Sequence, residues 1–283
     1  MKISMFIRDH LVGIGVWVDT ELHGLYSGAA GFPGTLDELL AGGADLRAAG
    51  NTLLKAPVVD QSTIRYLPPV QKPSKILCVG LNYRAHSKET GMGEPDYPTM
   101  FARFPSTLAA HGQSIIRPSL SDQLDYEAEL VAVIGRRCRG AGKMEALDFV
   151  AGYSIFNDAS LRDYQMRTTQ WTMGKNFDAT GGFGPALVTP DELPPGGDGL
   201  RIMSRLNGQT MQDGNTADMV FKVADLVMHM SAVMTLEPGD LIVTGTPSGV
   251  GFSRKPPVFM KPGDVCEIEI EKLGILRNPI AAG

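Results

Sequence analysis

Apolar residues occur in short runs along this chain, and most of these runs have the length of β-strands. MKISMFI at 1–7 and VGIGVWV at 12–18 come first, KILCVGLN follows at 75–82, and YEAELVAVI at 126–134 precedes VAGYSIFND at 150–158. Apolar runs of this length, bounded by polar or turn residues, are typical of strands buried in a sheet. The pattern predicts a mixed α+β, β-rich fold.

Helical signals are fewer. Thr35-Leu-Asp-Glu38 matches a capping box, in which each of the two end residues accepts a backbone hydrogen bond from the other. A longer helix is predicted from Ala217 to Thr235, where apolar residues recur every three or four positions. Three prolines in the stretch 66–75 predict an extended linker. We therefore expect a small N-terminal α+β domain over residues 1–68 and a larger domain over residues 69–283.

Composition excludes several classes of function. The 283 residues carry a net charge of −5 and show no basic stripe, which argues against nucleic-acid binding. The three cysteines are far apart and form no CxxC pair, so a disulfide framework or a structural zinc site is not expected. No apolar run is long enough to cross a membrane, and Arg8 and Asp9 interrupt the first run before a signal-peptide core could form. The sequence predicts a cytoplasmic protein that binds neither nucleic acid nor membrane.

Two glutamates open one of the apolar runs. Glu127 and Glu129 are two positions apart, so on a strand their carboxylates point to the same face. The same spacing at Glu267 and Glu269 alternates with apolar residues and is typical of a half-exposed strand. The first pair leads directly into the unbroken run 130–134, which predicts burial on both faces. Buried carboxylates need a cation, and the local pattern fits a metal ion and a buried salt bridge equally well.

A third carboxylate strengthens the metal interpretation. Asp158 ends the apolar run at 150–158, and a helical turn after it would present Arg162 and Gln165 on the same side. Three carboxylates without a cluster of histidines or cysteines favour a hard ion, Mg²⁺ or Mn²⁺. Taken alone, Asp158 could equally be a helix N-cap.

One segment carries a candidate base. His86 and Glu89 are three residues apart and can touch on a helical turn, so Glu89 could orient the imidazole while His86 deprotonates a water. A surface ion pair is the commoner meaning of this spacing. Neither interpretation is excluded by the sequence around the two residues.

Two further features suit an anionic ligand. Lys175 follows Asp158 closely enough to share its pocket, although a lone lysine is usually solvated. The segment 244–251, TGTPSGVG, offers hydroxyl and backbone N–H groups that could hold a carboxylate. It lacks the Gly-Lys-Ser/Thr of a P-loop, and the chain contains no GxSxG elbow.

Six stretches in order resemble the fumarylacetoacetate hydrolase family. They are GLNYRAH, DYEAELVAVIG, AGYSIFNDASLRDYQ, GKNFD, LEPGDLIVTGTPSGVG and KPGDVCEIEIEKLGILRN, and they cover roughly residues 70–280. The resemblance implies the family's β-roll catalytic domain, a homodimer and a Mg²⁺ or Mn²⁺ site. One stretch departs from the pattern, because Arg103 in MFARFPS stands where many relatives have a lysine. That difference is expected to alter the distal end of the substrate.

The resemblance also implies a role for each matching side chain. The metal ligands fall on Glu127, Glu129 and Asp158, and the water-activating dyad falls on His86 and Glu89. The groups that match substrate-binding or enolate-stabilising residues are Arg162, Gln165 and Lys175, and the residue that matches the binder of the substrate's acid end is Thr244.

These roles lead to a mechanistic hypothesis. A 1,3-dicarbonyl acid, such as an acylpyruvate or a fumarylpyruvate-like acid, would chelate the ion, His86 would activate a water, and the C–C bond would break to leave an enolate held by the ion and Lys175. Decarboxylation or keto–enol isomerisation of a 2-oxo dioate in aromatic catabolism is the alternative. A non-catalytic binding protein on the same fold is a third possibility, which the complete set of site residues disfavours.

Overall fold

A computed structural model describes residues 1–91, 93 and 95–283. The strands in these residues are β1 (Lys2–Arg8), β2 (Leu11–Val18), β3 (Glu21–Tyr26), β4 (Arg65–Leu67), β5 (Ile76–Gly80), β6 (Thr99–Arg103), β7 (Leu108–Ala110), β8 (Ile115–Arg117), β9 (Leu124–Asp125), β10 (Ala128–Ile134), β11 (Val150–Asp158), β12 (Ser160–Leu161), β13 (Gly181–Val188), β14 (Arg201–Leu206), β15 (Gln209–Asn215), β16 (Leu241–Val243), β17 (Val265–Ile270) and β18 (Gly274–Ala282). The helices are α1 (Leu36–Ala41), α2 (Leu46–Leu53), α3 (Arg84–Thr90), α4 (Arg162–Gln165), α5 (Thr172–Lys175) and α6 (Val223–Val233).

A large sheet forms the centre of the molecule. Its order is β3-β2-β1-β13-β11-β10-β16-β5-β6, with β4 paired to β1 and β7 paired to β13. A second sheet of order β15-β14-β17-β18-β8 packs beside it, and β9 pairs with β12 as a short ribbon. The mixed α+β, strand-rich fold expected from the apolar runs is confirmed.

Strand β10 is buried on both of its faces, as its unbroken apolar run predicts. Leu130 and Ala132 pack into the core shared with the second sheet, which supplies Ile202 and Ile268. The alternate residues of β10, including Val131, pack into the core beneath α1 and α2. Because no residue of this strand reaches solvent, any charged group at its start is enclosed by protein.

The N-terminal strands join the large sheet. Lys2 and Ile3 of β1 pair with Val188 and Leu187 of β13, so the sheet runs without a break from the first residues into the rest of the chain. The expected linker at 66–75 begins with the last two residues of β4. The division into residues 1–68 and 69–283 stays a prediction, and the two parts share one sheet.

The helical predictions have mixed outcomes. The capping box of Thr35 and Glu38 is confirmed at the start of α1. The helix predicted from 217 begins only at Val223, because Val220 and Phe221 donate backbone hydrogen bonds, each 2.8 Å long, to the backbone and side-chain oxygens of Asn82. This long-range tie lies between a 3₁₀ helix at Thr216–Asp218 and the start of α6, so the two helices do not join. None of the helices in the described part of the chain combines the length and hydropathy of a membrane span.

Candidate active site

The antiparallel register of β10 and β11 brings three carboxylates together. Glu129 lies opposite Phe156, and the Asp158 backbone N–H donates to the Glu127 carbonyl oxygen at 3.0 Å. Residues two apart on a strand and residues opposite each other in a ladder share a face. One carboxylate oxygen each of Glu127, Glu129 and Asp158 therefore lies within 4.8 Å of the other two.

These three side chains are buried, with exposed fractions of 5% for Glu127, 2% for Glu129 and 0% for Asp158. Lys175 compensates part of the charge, because its Nζ lies 2.7 Å from both Glu127 Oε2 and Asp158 Oδ2. Arg162 Nη1 lies 2.7 Å from Glu127 Oε1. Both sequence interpretations thus describe part of the site: Glu127 is in a buried salt bridge, and Glu129 has no ion-pair partner among residues 1–91, 93 and 95–283.

The pKa values of the two glutamates are shifted in opposite directions. Burial opposes ionisation of Glu127, but the charges of Lys175 and Arg162 outweigh burial and lower its pKa to about 2. Burial, together with the charges of Asp158 and Glu127, raises the pKa of Glu129 well above its usual range. Burial lowers the pKa of Lys175, but the negative charges of Asp158 and Glu127 outweigh burial and raise it. Glu129 therefore keeps its proton to a higher pH than an ordinary carboxyl group, and Lys175 keeps its charge to a higher pH than an ordinary lysine.

The donor set fits a hard divalent cation. Within the described part of the chain, the group of possible ligands is three carboxylates with no cysteine or histidine among them, which suits Mg²⁺ or Mn²⁺ better than zinc or copper. Glu129 accepts one backbone hydrogen bond, from the Gly245 N–H at 2.5 Å. A cation beside it would replace the proton that burial now favours. The ligand roles of the three residues stay predictions, while their convergence is a structural fact.

Arg103 lies behind the acidic cluster. Its side chain is buried, its Nη1 donates to Asp158 Oδ1, and its Nη2 donates to Thr180 Oγ1 at 2.7 Å. The expected effect of Arg103 on the distal end of the substrate stays a prediction, and its guanidinium contacts the predicted metal ligand Asp158. The sequence could not predict this contact, because Asp158 is 55 positions away from Arg103 along the chain.

His86 and Glu89 meet on α3. His86 Nδ1 lies 3.3 Å from Glu89 Oε2, and Glu89 Oε1 accepts a 2.6 Å hydrogen bond from Ser253 Oγ. The Gly249 N–H also donates to this carboxylate. Burial raises the pKa of Glu89, but the hydrogen bonds from His86 and Ser253 outweigh it and lower the pKa. An ionised Glu89 holds the proton on Nδ1, so Nε2 becomes the basic nitrogen of the ring.

The turn after Asp158 forms as predicted. Arg162 and Gln165 occupy the two ends of α4, and Arg162 Nη1 donates to Gln165 Oε1 at 2.8 Å. Arg162 Nε donates to Asp125 Oδ2 at 2.9 Å. Its remaining nitrogen, Nη2, is buried and finds no hydrogen-bond partner in the described part of the chain. A buried guanidinium nitrogen without a partner favours an anionic ligand beside it.

Most of the predicted residues line one cavity, whose empty space, together with the open solvent at its mouth, is about 550 Å³. Its charged and polar lining contains His86, Glu127, Glu129, Arg162, Gln165, Lys175 and Thr246, and its apolar lining is Val79, Gly80, Leu81, Phe101, Met166, Trp171 and Phe252. The structure thus brings the proposed base, carboxylates and cations to one place.

Thr244 is placed differently from the other predicted residues. Its hydroxyl donates to the Leu130 carbonyl oxygen at 3.0 Å, and the residue does not line the cavity. Thr246, two positions later, does line it. The substrate-binding role of Thr244 stays a prediction that its hydrogen bond does not favour. Thr244 and Thr246 are separated only by Gly245, so local sequence alone does not show which of the two hydroxyls reaches the cavity.

The loop expected to hold an anion holds the protein's own carboxylates. The Gly251 and Phe252 N–H groups donate to Asp125 at 2.8 and 2.9 Å, and the Gly249 N–H donates to Glu89. Gly251 has no room for a side chain, because a Cβ there would lie 2.6 Å from Asp125 Oδ1. Asp125, which sequence analysis did not single out, therefore ties this loop to Arg162.

Residues 75–281 match the model of the "Fumarylacetoacetate (FAA) hydrolase C-terminal" family. The chain belongs to this family. The human protein "Oxaloacetate tautomerase FAHD2A, mitochondrial" is 39% identical over 288 residues, which cover 99% of this chain and 91% of that protein. These matches confirm the resemblance inferred from the six stretches, and they place the chain in a family of enzymes.

Solved structures of family members share the fold. Fumarylacetoacetate hydrolase from the psychrophile Exiguobacterium antarcticum aligns over 100% of both chains with a TM-score of 0.87 and 35% identity. Maleylpyruvate hydrolase from Sphingobium sp. SYK-6, solved in complex with manganese(II) and pyruvate, aligns over 100% of both chains with a TM-score of 0.82 and 26% identity. The family therefore includes a member that binds manganese, and this chain has a buried acidic cluster able to hold such an ion.

Proposed function

We propose that this chain is a divalent-metal-dependent enzyme that interconverts the keto and enol forms of a small 2-oxo dioate such as oxaloacetate. The observation that carries the proposal is the single cavity in which His86 faces the carboxylates of Glu127 and Glu129 beside Lys175. The extensive similarity to an oxaloacetate tautomerase supports this substrate class. The proposal takes up the isomerase alternative in preference to C–C hydrolysis.

Proton transfer is the step that the residues of this chain would perform. In the keto form the carbon next to the oxo group carries an acidic proton, and His86 is the base within the cavity. Glu89, fixed by Ser253 and Gly249, keeps the imidazole in the tautomer that accepts a proton at Nε2. The protonated imidazole would then give this proton to the enolate oxygen, which completes the enol, and the reverse sequence returns the proton to carbon.

The negative charge that develops on the substrate oxygen needs a cationic neighbour. Lys175 is buried and its pKa is raised, so it stays charged through the reaction. Arg162 offers the unpartnered Nη2 to a carboxylate of the substrate. Prepositioned charges in a buried cavity typically lower a barrier by about 3–4 kcal/mol for each well-placed donor. A divalent ion held by Glu127, Glu129 and Asp158 would supply Lewis acidity and orient the two adjacent oxygens of a 2-oxo acid.

Hydrolysis of a C–C bond in an acylpyruvate is the second candidate. The specific observation in its favour is the His86–Glu89 pair. The Glu89 carboxylate also accepts a hydrogen bond from Ser253 Oγ, and the Gly249 N–H donates to both of its oxygens. Such a fixed dyad suits activation of a water as well as proton transfer to carbon. The similarity to a maleylpyruvate hydrolase also supports this candidate.

One assay series separates the candidates. The Mg²⁺-loaded protein would be given oxaloacetate, with the enol followed by ultraviolet absorbance and pyruvate release followed enzymatically, and acylpyruvates would be tested in ¹⁸O-labelled water. The proposal expects metal-dependent enol–keto interconversion that is faster than either cleavage reaction. Faster incorporation of ¹⁸O into an acid product would instead establish hydrolysis. Turnover that survives thorough chelation would contradict both candidates.

We also propose that the protein is a homodimer, which light scattering coupled to size-exclusion chromatography would test. Cytoplasmic location likewise stays a prediction, to be tested by fractionation. Neither statement affects the chemistry of the cavity. A monomer with full activity would remove the dimer proposal and leave the proposed reaction in place.

A further inference from the structure

Gln212 is a buried amide between the two sheets. It lies on β15 with an exposed fraction of 1%, and its side chain makes four hydrogen bonds. Oε1 accepts from the Ala128 N–H at 3.0 Å and from Ser204 Oγ at 2.9 Å. Nε2 donates to Thr246 Oγ1 at 2.7 Å and to the Pro247 carbonyl oxygen at 2.8 Å. The amide therefore uses all of its donors and acceptors.

The orientation of this amide follows from its neighbours. A backbone N–H can only donate, so the atom facing Ala128 is the oxygen of Gln212. A carbonyl oxygen can only accept, so the atom facing Pro247 is the nitrogen. The same nitrogen faces Thr246, which means that the threonine hydroxyl accepts this hydrogen bond. Its own proton must then point elsewhere.

The cavity is where the Thr246 hydroxyl can donate. The residue is 3% exposed and lines the cavity together with Glu127 and Glu129. Within residues 1–91, 93 and 95–283, the structure contains no acceptor for its proton. A buried hydroxyl with an unused proton gains most from an oxygen of a bound ligand.

We propose that Gln212 is a positioning residue that directs the Thr246 hydroxyl proton toward an oxygen of the bound substrate. The identity of the ligand as a 2-oxo acid rests on the proposed function. Gln212 also holds the backbone of Ala128, which lies between the two glutamates of the acidic cluster. The contact to Ala128 fixes the position of Oε1, so that Nε2 faces Thr246.

Binding of oxalate, a planar two-oxygen chelator, tests the inference without relying on turnover. Calorimetry would compare the Mg²⁺-saturated wild type with Gln212→Met, Thr246→Val and the double variant. Each single variant is expected to bind oxalate roughly tenfold more weakly, because a hydrogen bond to a charged ligand is lost. The double variant is expected to bind no more weakly than Thr246→Val, since Gln212 acts through the hydroxyl. Ser204→Ala is the matched control and should stay within about twofold of the wild type, because it removes a contact to Oε1 and leaves Nε2 in place.

The results that overturn the inference are distinct from those that overturn the proposed function. If Gln212→Met weakens oxalate by the same factor in the Thr246→Val background, its role is structural only. Should Gln212→Met fail to fold, Thr246→Val and Thr246→Ser still decide: the inference requires that the valine variant lose affinity and the serine variant keep it. Wild-type protein that binds oxalate but turns over no 2-oxo acid contradicts the proposed function alone.

Discussion

Two pairs of glutamates in this chain have the same spacing and different surroundings. Glu127 and Glu129 are almost fully buried at the start of β10, whereas Glu267 and Glu269 lie half-buried on β17. The β17 pair contacts Arg205, whose Nε and Nη2 lie 3.3 and 2.7 Å from the two carboxylates. Spacing alone brings two carboxylates to one face. Burial decides whether they become a strained site that attracts a cation or a surface ion-pair network.

The difference extends to the free energy stored in each pair. Charged partners at the surface contribute little, because water solvates each of them nearly as well. Buried carboxylates cannot rely on water, and burial together with the charges of Asp158 and Glu127 raises the pKa of Glu129. A carboxyl group whose pKa is raised keeps its proton to a higher pH, and a cation that binds to the carboxylate displaces this proton. The buried pair is therefore suited to metal binding in a way that the surface pair is not.

The largest expected effect comes from neutralising one member of each pair. Glu129→Gln should lower kcat/KM for the substrate on the order of 1,000-fold, because a ligand of the cation is lost. Glu269→Gln is the matched change on β17 and should alter kcat/KM by less than about twofold. Steady-state kinetics at saturating Mg²⁺ measures both. Similar losses in the two variants would mean that burial does not distinguish the pairs.

Replacing one arginine at each site compares how much a buried and a surface ion pair contribute to the free energy of unfolding. Arg103→Met removes a buried partner of Asp158 and should lower the free energy of unfolding by about 3 kcal/mol. Arg205→Met removes the surface partner of Glu267 and should lower it by less than about 1 kcal/mol. Urea denaturation of the metal-free proteins gives both values. Equal values would show that Lys175 alone suffices to compensate Asp158.

Proton release on metal binding is the smallest expected effect and the most specific to Glu129. Its pKa is raised, so the ion-free protein keeps a proton there to a higher pH than an ordinary glutamate does, and the ion must displace this proton. Affinity for Mg²⁺ should rise about tenfold per pH unit up to the raised pKa of Glu129 and level off above it. Calorimetry in buffers of different ionisation enthalpy should detect about one proton per ion. Glu129→Gln should release none, and an unchanged release in that variant would assign the proton elsewhere.

Local pattern predicted the strands that build the site. The apolar runs at 126–134 and 150–158 correspond to β10 and β11, and the carboxylates stand where these strands meet. The capping box of α1 was readable because its two partners are three residues apart. These features depend on neighbouring residues, so a single stretch of sequence carries the whole signal.

The contacts that the sequence did not predict join residues far apart along the chain. Asp125 holds the 249–252 loop, Arg103 contacts Asp158, and Gln212 reaches Thr246 from the second sheet. No spacing or periodicity in the sequence indicates these contacts, because only the fold brings the partners together. The late start of α6 has the same origin, since Asn82 holds the residues before it.

The proposed function requires a cation between Glu127, Glu129 and Asp158, and the decisive measurement is anomalous diffraction from crystals soaked with Mn²⁺ and oxalate. We expect one strong manganese peak within about 2.3 Å of an oxygen from each of the three carboxylates, with Lys175 Nζ displaced from at least one of its two present partners. A crystal in which manganese binds elsewhere, while Lys175 still bridges Glu127 and Asp158, would contradict it.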